Sequence, residues 1–293
     1  MNIEEIFGRE SSLENIQWTL GNFEFGKFIC SGAFGEVYLA RECSSLYVVA
    51  LKVISKIIRE GENKVGILAE ITNQARLQHP NVLSVFSYFY DEENIFLILK
   101  YIPGGDLRER CSTGVTEETA AGYMADLVKA LEYCHSQNII HTDLKPENLL
   151  LGSGGNIIIA DFGSSVDCSM VGTCMKTSTC NGYNEYWAPE MYTSCFGKEV
   201  DAWALGVLLY EFLVGKPPYQ TKEETLNDCI PYPTEKNISD DAKDLISQLL
   251  ENDPKKTQSI EYYSTASLHD DPKKGKALNT VLQHPFMLNN ERS

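Results

Sequence analysis

The stretch His141-Thr142-Asp143-Leu144-Lys145-Pro146-Glu147-Asn148 gathers a carboxylate, an ammonium and an amide into one short loop. These groups take up a proton, neutralise negative charge and offer a neutral oxygen. The loop lies between Ile139-Ile140 and Leu149-Leu150-Leu151, so polar side chains are mounted on two apolar runs, the layout of a reaction centre on a rigid frame. A second carboxylate follows in Asp161-Phe162-Gly163, behind the β-branched run Ile157-Ile158-Ile159-Ala160, which reads as a neighbouring strand. Two strands therefore deliver acids to one spot.

The elements that must position these groups are legible along the chain. Residues 1–21 read as a short leader, with a helical turn at 13–18 and no chemistry-bearing motif. Phe23-Glu24-Phe25-Gly26-Lys27-Phe28-Ile29 alternates as a strand, gives way to Cys30-Ser31-Gly32-Ala33-Phe34-Gly35-Glu36-Val37, and resumes at Tyr38-Leu39-Ala40. A hairpin tip without Cβ atoms lets backbone N–H groups approach phosphate oxygens. Val48-Val49-Ala50-Leu51-Lys52-Val53 is a strand with a single cation, which by itself reads equally as a solvent-facing lysine. Residues 64–78 read as an amphipathic helix with Val65, Leu68, Ile71 and Ala75 on one side and Glu70 on its surface. Strands return at 82–90 and 95–101 around the turn Asp91-Glu92-Glu93-Asn94, and Pro103-Gly104-Gly105 reads as a linker.

Thr116 caps a helix with Glu117 and Glu118 in its first turn, expected to reach about residue 137 and to bury Tyr123, Leu127, Val128 and Leu131. A long stretch rich in Gly, Ser, Thr and Cys follows Asp161 and closes at Trp187-Ala188-Pro189-Glu190. Residues 200–214, starting with Asp201 in the second position, are apolar enough for a helix buried on nearly all sides. Residues 239–252 carry Ala242, Leu245, Ile246, Leu249 and Leu250 at helical spacing and stop at Asp253-Pro254.

Composition bounds the function classes. The chain has 293 residues, 43% hydrophobic and 23% charged, which suits a globular protein of one large domain or two lobes. A net charge of −16 disfavours direct binding of nucleic acid or anionic membrane and suits basic substrates or partners. Acids stand where a signal peptide carries lysines, and the longest apolar run, around 202–210, is too short to span a bilayer. The expectation is a soluble intracellular protein without a membrane partner. Nine cysteines show no C-x-x-C pair, which favours reduced thiols, although Cys168, Cys174 and Cys180 also read as spaced metal ligands.

The motifs from residue 22 to residue 288 resemble those of eukaryotic protein kinases. The resemblance implies an α+β, bilobal fold, with a small β-rich lobe over about 22–102 carrying one key helix, a larger and mainly helical lobe over about 103–288, and a tail at 289–293. It implies ATP and Mg²⁺ as cofactors. Asp143 would accept the substrate hydroxyl proton, Lys145 would sit beside the transferring phosphoryl group, and Asn148 and Asp161 would hold the metal. Phosphoryl transfer asks mainly for alignment and charge neutralisation, which explains hard oxygen ligands and a fixed cation. Residues implied to contact ATP are Ile29, Cys30, Ser31, Gly32, Ala33, Phe34, Gly35, Val37, Ala50, Lys52, Glu70, Leu99, Lys100, Ile102, Glu147 and Leu150. Lys52 would reach the phosphates and pair with Glu70, Leu99 would guard the back of the pocket, and the backbone of Lys100, Tyr101 and Ile102 would meet adenine.

Within the kinases, Val37-Tyr38-Leu39-Ala40-Arg41-Glu42, Tyr133-Cys134-His135-Ser136 and Leu209-Tyr210-Glu211-Phe212-Leu213-Val214-Gly215-Lys216-Pro217-Pro218 are similar to the Aurora serine/threonine kinases, as is Gln74. That resemblance implies transfer to Ser or Thr of mitotic or cytoskeletal proteins with basic motifs, an activating protein partner, and residence in cytoplasm or nucleus, at spindle, centrosome or cytoskeleton. Polo-like and calmodulin-dependent-like kinases stay open, because Ser164 replaces the Trp usual after the Aurora Asp-Phe-Gly. So does a pseudokinase scaffold. Cys30 stands at the first glycine of the phosphate loop, Tyr183 stands where a Thr is usual, and Glu190 lacks its Arg after either Asp253-Pro254-Lys255-Lys256 or Asp271-Pro272-Lys273-Lys274, Lys276 being the nearest substitute. The stretch 257–270 reads as an insertion.

Two further departures concern regulation. Thr142 replaces the arginine before the catalytic Asp, and Ala69 replaces the Arg usual in Auroras, so two cations that grip an activation-segment phosphate are missing. Phosphate on Thr177, Ser178 or Thr179 is therefore expected to matter little. Replacing all three by Ala should leave the phosphate-transfer rate essentially intact, measured with labelled ATP; abolished activity in a folded variant would overturn the expectation.

Overall fold

The computed structural model describes residues 18–32, 35–56, 71–169, 175–176, 183–192, 195–226, 229–251 and 277–290. The small lobe is a five-stranded antiparallel sheet in the order β1-β2-β3-β5-β4, formed by β1 (Phe23–Gly32), β2 (Gly35–Glu42), β3 (Val48–Ser55), β4 (Val85–Tyr90) and β5 (Asn94–Lys100). The two-residue period of its central strands sorts the core. Val49 and Leu51 of β3 and Phe96 and Ile98 of β5 join Phe23 and Phe89 on one face. Ala50, Ile54, Leu97 and Leu99 join Ile71, Leu83 and Ile158 on the other, the face turned to the large lobe. Lys52, in step with Ala50 and Ile54, is therefore carried to the cleft face and is 4% exposed.

β1 does not keep the burial that its alternation predicts, because only Phe23 is buried along it. It is an edge strand with β2 as its one neighbour. Phe25 and Phe28 instead meet the ring of Tyr38 edge-on, each at 5.7 Å. The predicted helix at 64–78 is described from residue 71 and runs helically only to 74. Arg76 and Leu77 donate to the carbonyls three residues back, Asn73 and Gln74, and this tighter turn leaves Ala75 exposed. Besides Ile71 and Leu77, the buried positions are the polar Asn73 and Gln74.

The large lobe is helical. α1 (Arg108–Thr113) leads to α2 (Glu117–Ser136), whose cap Thr116 accepts from the Thr119 amide at 3.2 Å and which buries Tyr123, Leu127, Val128 and Leu131 as its pattern predicts. α3 (Glu199–Val214) is buried from Val200 to Val214. α4 (Lys222–Thr225) is a single turn, and α5 (Asp240–Leu249), capped by Ser239, ends earlier than the predicted residue 252. A Cβ on Gly206 would lie 2.8 Å from side-chain carbons of Leu249 and Leu250, so glycine is what lets α5 pack this closely on α3. α6 (Ala277–Leu282) and α7 (Pro285–Asn289) close the lobe. Among the described residues no helix is long and apolar enough to cross a membrane.

Four short strands set the chemistry-bearing loops. β6 (Ile139–Ile140) pairs with β9 (Val166–Asp167), and β7 (Leu149–Leu151) pairs with β8 (Ile157–Ile159), both antiparallel. One hairpin is thus nested inside a longer pairing, and the loop 141–148 is forced alongside the turn 160–165. The Ala160 amide donates to the Asn148 carbonyl at 2.8 Å, closing the two together.

Candidate active site

The catalytic loop hangs from one buried carboxylate. Asp201, in the first turn of α3 where the helix dipole favours an anion, accepts from the backbone amides of His141 and Thr142, each at 2.9 Å, and from His135 Nε2 at 2.7 Å. Complete burial pushes its carboxyl up, but His135 and these amides more than offset that and hold it below the ordinary value. The amides fix Thr142 at φ +66°, a left-handed conformation that a β-branched residue adopts only under constraint. His141 is itself held at both ring nitrogens, Nε2 facing the Ala160 carbonyl at 3.1 Å and Nδ1 accepting from the Asp143 amide at 3.3 Å.

Asp143 is presented between two partners. Lys145 Nζ lies 2.7 Å from its Oδ2, and the Asn148 amide nitrogen donates to its carbonyl at 2.7 Å and to Oδ2 at 3.1 Å. With its nitrogen committed to Asp143, Asn148 keeps its side-chain oxygen as an acceptor. Phe162 is fully buried and meets His141 edge-on at 4.7 Å, which anchors the turn and directs Asp161 to the cleft. Asp161, at φ +61°, lies 3.0 Å from Lys52 Nζ. Burial raises its carboxyl, and Lys52 with smaller contributions from His141 and Gly163 overrides this, so the group is held below the ordinary carboxylate range and ionised.

These donors fit Mg²⁺ bound together with a polyphosphate. Mg²⁺ takes one or two protein oxygens and fills the rest of its shell with phosphate and water. Asp161 and Asn148 are such a pair, and among the described residues no group of three or more His, Cys, Asp or Glu side chains forms a self-sufficient metal site. A Cβ placed on Gly32 would lie 3.8 Å from Asp161 Oδ2, so the end of β1 arches over this carboxylate.

An apolar bed adjoins it. Ala50, Leu99, Ile102 and Ala160 form one cluster with Val37 and Leu150 packed against it. Ile29 is exposed at its edge, and Cys30 and Ser31 are exposed beside Gly32 and Gly35. Burial raises the Cys30 thiol while Lys52 lowers it, which places Cys30 at the cleft mouth. The Lys100 amide donates to the Ser84 carbonyl at 3.0 Å, so this group of the expected hinge is already paired within the small lobe. Ala33, Phe34, Ala69, Glu70, Cys174, Thr177, Ser178, Thr179, Cys180, the stretch 257–270 and Lys276 lie outside the described residues. Cys30, Cys43, Cys111, Cys134, Cys168 and Cys229 are free thiols.

One group of side chains escaped the sequence reading. Tyr186 donates to Glu211 Oε2 at 2.7 Å, and burial, with the nearby Glu147 and Glu185, pushes the Glu211 carboxyl up to about 7. Glu185 is raised by burial and by Glu147. Glu147, expected at the nucleotide, is exposed, and its charge acts on Glu185 and Glu211. The available signal was Glu211 itself, an acid inside an otherwise apolar helix. Tyr183 stacks on Tyr192 at 6.3 Å rather than reproducing a small hydroxyl residue.

Comparison with known proteins agrees with this geometry. A family model of the protein kinase domain matches residues 23–287. The chain is 39% identical to the serine/threonine-protein kinase Aurora-2 of Arabidopsis thaliana, over 94% of the chain and 93% of that protein. It belongs to the Aurora kinases. Aurora kinase B of Mus musculus is 42% identical over 81% of the chain and 70% of that protein, and Aurora kinase A-A of Xenopus laevis is 41% identical over 94% of the chain. The chain spans 64% of the length of the Xenopus relative. Membership in the Auroras settles the choice among serine/threonine subfamilies, and Ser164 is a substitution within it. In this Aurora-family chain, Asp201→Ala should cost about 3–5 kcal/mol, because His135 and two buried amides lose their partner. Denaturant unfolding checks this, with a loss under about 1 kcal/mol counting against the anchoring role.

Proposed function

We infer that the chain transfers the γ-phosphoryl group of ATP to Ser or Thr hydroxyls of protein substrates with basic residues near the acceptor. The observation that carries this reading is the convergence of Asp143, Lys145 and Asn148 with Lys52 and Asp161 in one cleft, each held by a named partner. Asp143 takes the proton of the attacking hydroxyl. Lys145 neutralises charge next to it and keeps the carboxylate aimed, and Lys52 orients both Asp161 and the phosphates. Mg²⁺, when held by Asp161 and Asn148, supplies further neutralisation of the phosphate oxygens. The cluster around Ala50, Leu99, Ile102 and Leu150 receives the adenine, and the glycine-bearing hairpin closes over the phosphates. The catalytic domain is taken as 22–288 with the lobes meeting at 102/103.

Glu147, Glu185 and Glu211 favour a cationic side chain in the substrate, in keeping with the net charge of −16. The Aurora relationship supports mitotic or cytoskeletal substrates, an activating protein partner and a place at spindle or centrosome. A scaffold role would leave the Lys52 and Asp143 pairings without a chemical use.

Asp143→Asn should lower kcat about 10²–10⁴-fold while nucleotide binding persists. Wild-type protein that binds nucleotide through Lys52 yet transfers nothing, with or without an activator, would favour the scaffold. A second test uses pH. The Glu211 carboxyl moves from an ordinary 4.5 to about 7, so it ionises as pH rises through about 7. The KM for a basic peptide should therefore fall between pH 6 and 8 by severalfold, flatten in Glu211→Gln, and stay flat for a peptide whose basic residues are Ala. The same shift contributes stability that is complete below 4.5 and is lost as pH rises through about 7.

A further inference from the structure

The residues directly after the metal-binding turn are tied down one after another from both lobes. Thr142 Oγ1 donates to the Ser164 carbonyl at 2.8 Å. The Asn73 amide donates to Ser165 Oγ at 3.0 Å and to its carbonyl at 3.4 Å, and Ser165 Oγ donates back to the Phe162 carbonyl at 2.6 Å. Val166 and Asp167 pair with β6, and Arg76 Nη1 reaches Asp167 Oδ2 at 2.7 Å. The Cys168 amide donates to the Asn138 carbonyl at 2.8 Å.

These ties differ in weight. Asn73 and Ser165 are each 4% exposed, so breaking their bond strands buried polar groups. The Arg76 pair is half exposed and adds direction more than strength. The Thr142 bond uses a strained backbone: the φ of +66° imposed by Asp201 is what turns the hydroxyl toward Ser164. The residue that replaces a phosphate-binding arginine thus makes a direct neutral bond to the root of the same segment. Burial raises the Asp167 carboxyl, but Ser169 and Arg76 more than offset this, so the acid is charged for its pair.

We propose that Thr142, Asn73 and Arg76 are positioning residues that fix the turn 161–163 relative to Asp143, so that the site is held in register without phosphate on the segment that follows. The proposal rests on the kinase reading. Thr142 couples the catalytic loop to the metal-binding turn, and Asn73 and Arg76 couple that turn to the segment 71–77 of the small lobe. An error of an ångström at the metal-binding carboxylate reaches the phosphoryl group directly, so the cost falls on the chemical step.

The test uses the full chain carrying Thr177→Ala, Ser178→Ala and Thr179→Ala, assayed with ATP, Mg²⁺ and a basic Ser/Thr peptide. The parent should remain active. Thr142→Val and Asn73→Leu, which keep size and remove the bond, should each lower kcat on the order of 10-fold to 100-fold with KM for ATP changed less than about 3-fold. Thr142→Ser, which keeps the hydroxyl, should recover most of the rate. Equal kcat in Thr142→Val, Asn73→Leu and the parent would overturn the proposal, as would a loss that follows a falling Tm and is not recovered by Thr142→Ser. An inactive parent beside active unaltered protein would also overturn it. Inactivity of the unaltered protein itself would instead remove the kinase reading beneath it.

Discussion

The buried carboxylate of Asp201 is the interaction on which the rest of the site depends. A charge with no access to water is tolerated only if its environment is saturated with donors, and here two backbone amides and an imidazole supply them. The same saturation dictates loop geometry, since His141 and Thr142 must turn their amides inward and thereby throw Asp143 outward. The electrostatic cost of burying one acid is converted into the placement of another. Because Asp201 sits on α3, the most buried helix of the large lobe, that placement inherits the rigidity of the core.

The two acids of the cleft, Asp143 and Asp161, are held in a related way. Asp161 is kept ionised by Lys52, carried to it by the period of β3. Asp143 is framed by Lys145 and Asn148 from its own loop. One pair spans the lobes and the other is local. Around them the charge pattern is asymmetric. Lys52 stands at Asp161, while burial, with Glu147 and Glu185, raises the Glu211 carboxyl.

The start of the segment that follows Asp161 is held by contacts from both lobes. Thr142 and Asn73 supply neutral hydrogen bonds there, and Arg76 supplies one ion pair. Such contacts are short-ranged and need no added charge, and they fix position only because both lobes contribute. With the backbone pairing of Val166, Asp167 and Cys168, they hold five consecutive residues.

The sequence by itself determined the family and most of the elements. Asp143, Lys145, Asn148 and Asp161 are adjacent to apolar runs, and Thr116, Ser239 and the apolar stretch 200–214 announce helices, because local spacing and capping are one-dimensional properties. It also misjudged where local rules met tertiary ones: β1 lost its burial as an edge strand, and Ala75 lost its place to Asn73 and Gln74 when the turn tightened. Only the tertiary structure decided which polar residues meet. Arg76 with Asp167, Asn73 with Ser165, Thr142 with Ser164 and Tyr186 with Glu211 are far apart in the chain, and no periodicity marks them. A hydrogen bond depends on direction and on a gap of about 3 Å, quantities that exist only after the core has packed.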